Sequence, residues 1–177
     1  DFFKIDAYLL RHSRFDGSLS PVLNRLVFRR HDAVAALLWH TDRKKLILVE
    51  QFRPAVYVSG KDGWTIELPA GLLDVKGETP VESMKRELIE ETGYRVESLD
   101  ELFTYHASVG GSTEQLTLFY GEVTDADHVA NGGGEDEGED ISVVEWSTEQ
   151  LVDGLKEGSL SDAKTIIAVQ WLMANKL

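Results

Sequence analysis

A single strong helix signal lies in the middle of this chain, with strand-like runs on both sides of it. "TPVE" places Thr79 at the N-cap, Pro80 at the first helical position and Glu82 three residues beyond the cap, the pattern of a capping box. Gly93 supplies the end of the helix. Because strands flank one helix and do not alternate with many, the pattern predicts a mixed sheet of the α+β or α/β class.

The strands and the remaining helices follow from local composition. Runs rich in β-branched and aromatic residues predict the strands, and they are "KIDAYLL", "VLNRLVF", "DAVAALLWH", "LILVEQF", "WTIELPAG", "SLDELFTYHAS", "EQLTLFYGEV" and "ISVVEWS". Two helices are predicted near the end of the sequence, beginning at Ser147 and Ser161. We expect an N-terminal β arm over residues 1–32 and one main domain over residues 33–177.

Composition excludes several classes of function. The 177 residues carry 31 acidic and 18 basic side chains, a net charge of −13, which argues against nucleic acid or an anionic membrane as partner. The absence of cysteine excludes disulfides, thiolate metal sites and a cysteine nucleophile. No apolar run approaches the roughly 18 residues that a membrane span needs. With no signal peptide visible, a cytoplasmic location is the expectation.

Three carboxylates, Glu87, Glu90 and Glu91, crowd beside Arg86 at the end of the predicted helix. Residues three and four apart share a helix face, so these side chains should lie together. One interpretation is a solvated polar face with local ion pairs. The other is a site for a divalent cation such as Mg²⁺, which prefers oxygen ligands. The preceding "LPAGLLD" favours the metal, because its glycine allows close approach and frees a carbonyl such as that of Ala70.

The stretch "GLLDVKGETPVESMKRELIEETGY" resembles the Nudix box, the signature of hydrolases that cleave nucleoside diphosphates linked to another moiety. The positions that match in residue type and spacing are Glu78, Arg86, Glu87, Leu88, Glu90, Glu91 and Gly93. One departure is that six residues, not five, separate Gly71 from Glu78. We interpret this as a one-residue insertion in the loop before the helix, which should leave the arrangement of the glutamates intact.

The resemblance implies a Nudix fold, an α/β/α sandwich around a mixed sheet, and a set of site residues. Glu87 and Glu91 match the main Mg²⁺ ligands, with Mn²⁺ as the alternative ion. Glu90 matches a supporting Mg²⁺ ligand and is expected to be a catalytic residue. Arg86 would orient a glutamate of the box, and the backbone carbonyl of Ala70 would complete the metal site.

The segment "NGGGEDEGED", residues 131–140, combines four glycines with five acids. It is typical either of a solvated, mobile loop or of a loop that closes over a metal-bound substrate. By the same resemblance, Glu139 would be a further metal contact and Glu137 the general base. The glycines on either side would then let the loop close when substrate is present.

Substrate residues also follow from the resemblance. Arg53 in "LILVEQFRPAVY" matches a phosphate-contacting arginine, and Glu67 and Glu114 match substrate-side acids. A surface ion pair remains the alternative for Arg53, and solvation in a loop remains the alternative for Glu114. ADP-ribose enzymes carry a proline where this chain has Val109. The sequence therefore favours nucleoside diphosphate sugars of the UDP-glucose or GDP-mannose type, with ADP-ribose as the alternative substrate.

Two further expectations complete the sequence-based prediction. A non-catalytic Nudix-fold sensor is the second alternative, disfavoured because all three glutamates of the box are present. The N-terminal arm would be marginal by itself. The resemblance implies that it pairs across a two-fold axis and helps to build the substrate pocket, so we expect a homodimer.

Overall fold

A computed structural model describes residues 3–134 and 140–176. Within these residues, a seven-stranded mixed sheet forms the body and a separate two-stranded sheet forms the N-terminal arm. The strands are β1 Lys4–Leu10, β2 Leu23–Arg29, β3 Ala33–His40, β4 Lys45–Phe52, β5 Trp64–Glu67, β6 Ala70–Leu72, β7 Asp100–His106, β8 Gln115–Val123 and β9 Ile141–Ser147. The helices are α1 Pro54–Val58, α2 Pro80–Glu87, α3 Thr148–Glu157 and α4 Ala163–Asn175, with a π-helical turn at Leu88–Thr92 and a 3₁₀ turn at Asp125–Asp127.

β3 is the centre of the sheet, and every one of its residues is buried. It pairs in antiparallel fashion with β4 and β6 and in parallel with β8. Val34, Ala36 and Leu38 pack with Met84 and Leu88 on the side of α2. The alternate residues of β3 pack on the other side, against α3 and α4. The predicted mixed sheet between helical layers is confirmed.

The central helix begins as the sequence predicts. The Thr79 hydroxyl accepts a hydrogen bond from the Glu82 N–H, and the Glu82 carboxylate accepts one from the Thr79 N–H. The helix does not stay α-helical to its end, because α2 passes into the π-helical turn before Gly93 closes it in the left-handed conformation. A π turn inside a helix often marks a functional site.

The predicted N-cap is correct for α3 and is one residue off for α4. Ser147 caps α3 as expected, through a capping box with Gln150. The cap of α4 is Asp162 and not Ser161, because the Asp162 carboxylate accepts from the Thr165 N–H. Across residues 3–134 and 140–176, none of the helices has the length and apolar character needed to cross a membrane.

The N-terminal arm exposes an apolar face. β1 and β2 pair in antiparallel register, and Ile5, Leu9 and Leu26 lie on the same face with 67–76% of their surfaces exposed. The arm joins the body where the Phe28 N–H donates to the Gly111 carbonyl at 2.7 Å. The division of the chain at residue 32 stays a prediction.

Candidate active site

The last residue of α2 and the π-helical turn after it, residues 87–92, here called the acidic turn, carry two buried carboxylates. Glu87 and Glu91 are only 8% and 5% exposed, whereas the Glu90 side chain is 37% exposed. Residues four apart lie on nearly the same side of an α-helix and also of the slightly wider π-helix. Glu87 and Glu91 therefore lie on one side of the acidic turn. A buried charge is costly unless it is partnered, so neither side chain belongs to a freely solvated polar face.

Arg86 contacts three carboxylates of the segment. Its Nη1 lies 2.7 Å from Glu90 Oε2, and its Nη2 lies 2.9 Å from Glu87 Oε1. Its Nε donates to Glu78 Oε1 at 3.2 Å. The hydrogen bond to Glu78 and the charges of Glu87 and Glu90 raise the pKa of Arg86 above its ordinary value. The guanidinium therefore holds the glutamates apart and in place, and it also supplies the local ion pairs that the first interpretation expected.

The backbone of β6 faces Glu91. In an antiparallel pair of strands, hydrogen-bonded residue pairs alternate with pairs that are not hydrogen-bonded. The Ala36 N–H donates to the Pro69 carbonyl, so Ala36 and Pro69 form a hydrogen-bonded pair, and the next pair, Ala35 and Ala70, is not hydrogen-bonded. The N–H and the carbonyl of Ala70 therefore point away from β3. The N–H donates to Glu91 Oε2 at 3.0 Å, so the Ala70 carbonyl lies along the strand edge that faces this carboxylate.

Glu87 packs directly on the next residue, Gly71. A Cβ added to Gly71 would lie 2.3 Å from Oε1 of Glu87 and equally close to its Cδ and Cγ. A side chain at this position would displace the carboxylate. The glycine is therefore needed for the close approach of the buried acid to the backbone.

These donors fit a hard divalent cation. Two buried carboxylates and a backbone carbonyl are oxygen ligands, and Mg²⁺ is commonly held by one or two carboxylates together with water and substrate phosphates. No group of three acidic or histidine side chains close enough to chelate an ion occurs in residues 3–134 and 140–176. In the part of the chain that the structure describes, the arrangement consists of two buried carboxylates, Glu87 and Glu91, against the backbone of Ala70 and Gly71.

A second charged cluster surrounds Glu67, at the end of β5. Arg53 Nε and Nη2 donate to its two carboxylate oxygens at 2.8 and 3.0 Å, in a bidentate pair. Lys164, in the first turn of α4, donates to Glu67 Oε2 at 2.5 Å and lies 3.1 Å from Asp162. Burial by itself would raise the pKa of Glu67, but Arg53 and Lys164 outweigh it and lower the pKa to about 2.

Lys164 is a site residue that the sequence-based prediction missed. A cation is unfavourable in the first turn of a helix, where the macrodipole is positive. The lysine in "SDAKT" was therefore the available sign in the sequence that an acidic group near Lys164 offsets this unfavourable interaction. The compensating acid, Glu67, is 97 residues away in the sequence.

Glu114 lies near the same lysine but pairs with another cation. Arg30 Nε is 3.3 Å from Glu114 Oε1. Burial raises the pKa of Glu114, and the charges of Arg30 and Lys164 oppose this rise. The buried hydroxyl of Tyr105 has no hydrogen-bond partner among the residues described, and burial with the nearby charges of Asp162 and Glu114 raises its pKa to about 12. The predicted substrate-side acids Glu67 and Glu114 thus both lie within the electrostatic reach of Lys164.

Two predicted residues, Glu137 and Glu139, lie outside the described residues. The segment that leads to them is described as far as Gly134, and it runs beside the π-helical turn, where Gly134 donates to the Glu90 carbonyl. The structure therefore brings together Arg86, Glu87, Glu90, Glu91 and Ala70 in one place and Arg53 with Glu67 in another.

Comparisons with known proteins match this chain to one domain family and to several relatives named as pyrophosphatases. A family model described as the NUDIX domain matches residues 29–169. The ADP-ribose pyrophosphatase of Escherichia coli strain K12 is 35% identical, over 97% of this chain and 81% of the relative. The GDP-mannose pyrophosphatase of Cronobacter sakazakii is 37% identical, over 97% of this chain and 83% of the relative. A second GDP-mannose pyrophosphatase, from Enterobacter sp. strain 638, is 40% identical, over 86% of this chain and 79% of the relative.

Proposed function

Because the chain belongs to the NUDIX domain family, we propose that it hydrolyses the pyrophosphate bond of nucleoside diphosphate sugars with the help of a divalent cation. The observation that carries this proposal is the pair of buried carboxylates, Glu87 and Glu91, held against the backbone at Ala70 and Gly71. In the reaction a water oxygen bonds to phosphorus, a phosphorus–oxygen bond of the anhydride breaks, and the products are a nucleoside monophosphate and a sugar phosphate.

Glu87, Glu91 and the Ala70 carbonyl would hold the cation, for which we propose Mg²⁺, with Mn²⁺ as the alternative. Held by these residues, a divalent cation would offset the charge of the pyrophosphate and polarise it for attack. Arg86 keeps the carboxylate of Glu87 in place through its ion pair, and the Ala70 N–H does the same for Glu91. This arrangement also reconciles a chain of net charge −13 with an anionic substrate.

Arg53 is the proposed phosphate contact. Its guanidinium is fixed in orientation by the bidentate pair with Glu67, and a planar, oriented guanidinium suits the oxygens of a pyrophosphate. Glu67 then serves mainly to position Arg53 and Lys164. Glu114, with Arg30 beside it, is the proposed contact to the part of the substrate beyond the phosphates.

The remaining acids have supporting roles in the proposal. Glu90, tied to Arg86, lies on the more exposed side of the turn and supports the catalytic residues. Glu137 as general base and Glu139 as further metal contact stay predictions from the sequence, because both lie outside the described residues.

A substrate panel with Mg²⁺ tests the proposal. UDP-glucose, GDP-mannose and ADP-ribose are incubated separately with the protein, and release of nucleoside monophosphate is measured. We expect turnover of a UDP- or GDP-sugar to exceed that of ADP-ribose, in line with Val109 and with two relatives named GDP-mannose pyrophosphatase. Preference for ADP-ribose, after which a relative is also named, would support the alternative substrate.

Glu91→Gln is the matched variant for this panel. The amide keeps an acceptor for the Ala70 N–H but loses the charge that a cation needs, so we expect metal affinity and turnover to fall about tenfold or more. Binding of nucleotide sugars by the wild-type protein without release of any monophosphate would overturn the proposal in favour of a non-catalytic sensor.

We also propose a homodimer that forms through the N-terminal arm. The apolar face of β1 and β2 is exposed in the single chain, and a two-stranded sheet with such a face is marginal unless something covers it. A second copy of the arm is the occupant that the sequence-based prediction gives. A cytoplasmic location stays a prediction.

A further inference from the structure

The carbonyls at the end of the acidic turn accept hydrogen bonds from a distant segment. The last carbonyls of a helix have no partner inside the helix. Here the Glu91 carbonyl accepts from the Gly133 N–H at 2.8 Å, and the Glu90 carbonyl accepts from the Gly134 N–H at 3.1 Å. The Gly93 carbonyl accepts from the Val129 N–H at 2.8 Å. Gly93 caps the turn through its own N–H, which donates to the Ile89 carbonyl, and residues about 40 positions later in the sequence satisfy the carbonyls of Glu90, Glu91 and Gly93.

The approach requires glycine at the contacting positions. Gly132, Gly133 and Gly134 all have positive φ angles, of 71°, 101° and 65°. A Cβ on Gly132 would lie 2.7 Å from the Glu91 carbonyl oxygen. Residues with side chains rarely adopt these backbone angles, and here the added atom would also occupy the space of the turn.

The segment that contains these glycines, residues 127–134, is hydrogen-bonded to the rest of the protein near both of its ends. Upstream, the Arg95 N–H donates to the Asp127 carbonyl at 2.9 Å. Downstream, the Ile141 N–H donates to the Gly133 carbonyl at 3.3 Å, which connects the segment to the start of β9. The described glycines thus hydrogen-bond to the acidic turn and to the start of β9, and the closing of the loop over substrate stays a prediction.

We propose that Gly132, Gly133 and Gly134, here called the triglycine cap, position the acidic turn for metal binding. Glu91 is held at two points, its carboxylate by the Ala70 N–H and its carbonyl by the Gly133 N–H. Releasing the second point lets the turn shift, and the carboxylates of Glu87 and Glu91 shift with it. These glycines are positioning residues, and this inference rests on the proposed function of the same turn.

The test measures Mn²⁺ binding directly, by electron paramagnetic resonance of the free ion, alongside the Mg²⁺ dependence of turnover. We expect Gly133→Ala to weaken Mn²⁺ binding about tenfold, as removal of an outer support commonly does, and to raise the Mg²⁺ concentration for half-maximal turnover in proportion. Gly132→Ala should have a larger effect, because its Cβ also meets the Glu91 carbonyl.

Gly158→Ala is the matched control. Gly158 has a φ of 78° at the end of α3, and a Cβ there meets no atom within 4 Å, so the variant carries backbone strain remote from the turn. We expect it to lower the melting temperature about as much as Gly133→Ala and to leave Mn²⁺ binding unchanged.

Two results would be decisive against the inference or its premise, and they can be told apart. Gly133→Ala and Gly132→Ala that bind Mn²⁺ as tightly as the wild-type protein would overturn the role of the triglycine cap. A wild-type protein that itself binds no Mn²⁺ would overturn the proposed function and with it the premise of this inference.

Discussion

Glu67 shows how this molecule keeps a carboxylate charged in its interior. The residue is 4% exposed, yet two cations and the Thr65 hydroxyl contact it. Burial disfavours the charged form, and a bidentate arginine with a nearby lysine more than reverses that preference. The consequence is a contribution to stability that depends on pH in a defined direction.

We expect Glu67→Gln to lower the free energy of unfolding by about 3 kcal/mol at pH 7, the value that corresponds to a pKa lowered from 4.5 to about 2. Because the pKa is lower in the folded state than in the unfolded state, this contribution is fully present above pH 4.5 and is lost as the pH falls towards 2. Urea unfolding followed by tryptophan fluorescence, repeated across this range, measures it.

The difference between the wild-type protein and Glu67→Gln should therefore shrink on acidification. Glu157→Gln is the control, because Glu157 is an exposed glutamate at the end of α3. A gap between wild type and Glu67→Gln that stays constant from pH 7 to pH 3 would show that Arg53 and Lys164 do not stabilise the charged form.

At the scale of elements, the two ends of the central helix have different roles: the N-terminal end of α2 stabilises the helix, and the π turn carries the proposed metal ligand Glu91. The first turn of α2 starts the helix through the Thr79 capping box. The π turn at the other end carries Glu90 and Glu91 and is held by contacts from β6 and from the triglycine cap. Loss of the Thr79 capping box should therefore lower the free energy of unfolding without disturbing the proposed metal site.

We expect Thr79→Ala to lower the free energy of unfolding by about 1 kcal/mol and to change the Mg²⁺ concentration for half-maximal turnover by less than about twofold. Ser147→Ala removes the equivalent capping box of α3 and should cost a similar amount, since in both boxes the cap hydroxyl accepts from a backbone N–H three residues later and the cap N–H donates to that residue's side chain. A large change in Mg²⁺ dependence for Thr79→Ala alone would show that the whole helix, and not its C-terminal support, positions the glutamates.

At the scale of the whole molecule, the exposed arm leads to a prediction about assembly. We expect Leu26→Asp to convert a dimer into a monomer, because a charge in the apolar face of β2 would be buried without a partner. Light scattering at micromolar concentration measures the mass. Val58→Asp is the control, since Val58 is 81% exposed at the end of α1 and outside the arm. A wild-type protein with monomer mass would contradict the proposed homodimer.

The sequence predicted the parts of this fold that depend on neighbouring residues. Thr79, Ser147 and Gly93 act within a few positions, so caps and ends were predicted correctly. Asp162 was missed by one position because Ser161 beside it is also a good cap.

Contacts between distant parts of the chain could not be predicted in the same way. Lys164 reaches Glu67 and Gly133 reaches Glu91 only because the sheet brings their segments together. The residue types alone gave no pairing. The Nudix resemblance supplied Glu87, Glu91 and the Ala70 carbonyl as a set, but it did not supply the hydrogen bonds that Glu91 accepts from the Ala70 and Gly133 N–H groups.

The parallel pairing of β3 with β8 has a consequence for how the chain reaches its native state. Residues 33–40 must wait for residues 115–123 before the centre of the sheet can close. Contacts of such long separation slow folding, because the entropy of a long loop is lost before the strands gain anything from pairing. During synthesis, a largely apolar strand is therefore exposed while some 75 further residues leave the ribosome, and this interval is when a chaperone would matter most.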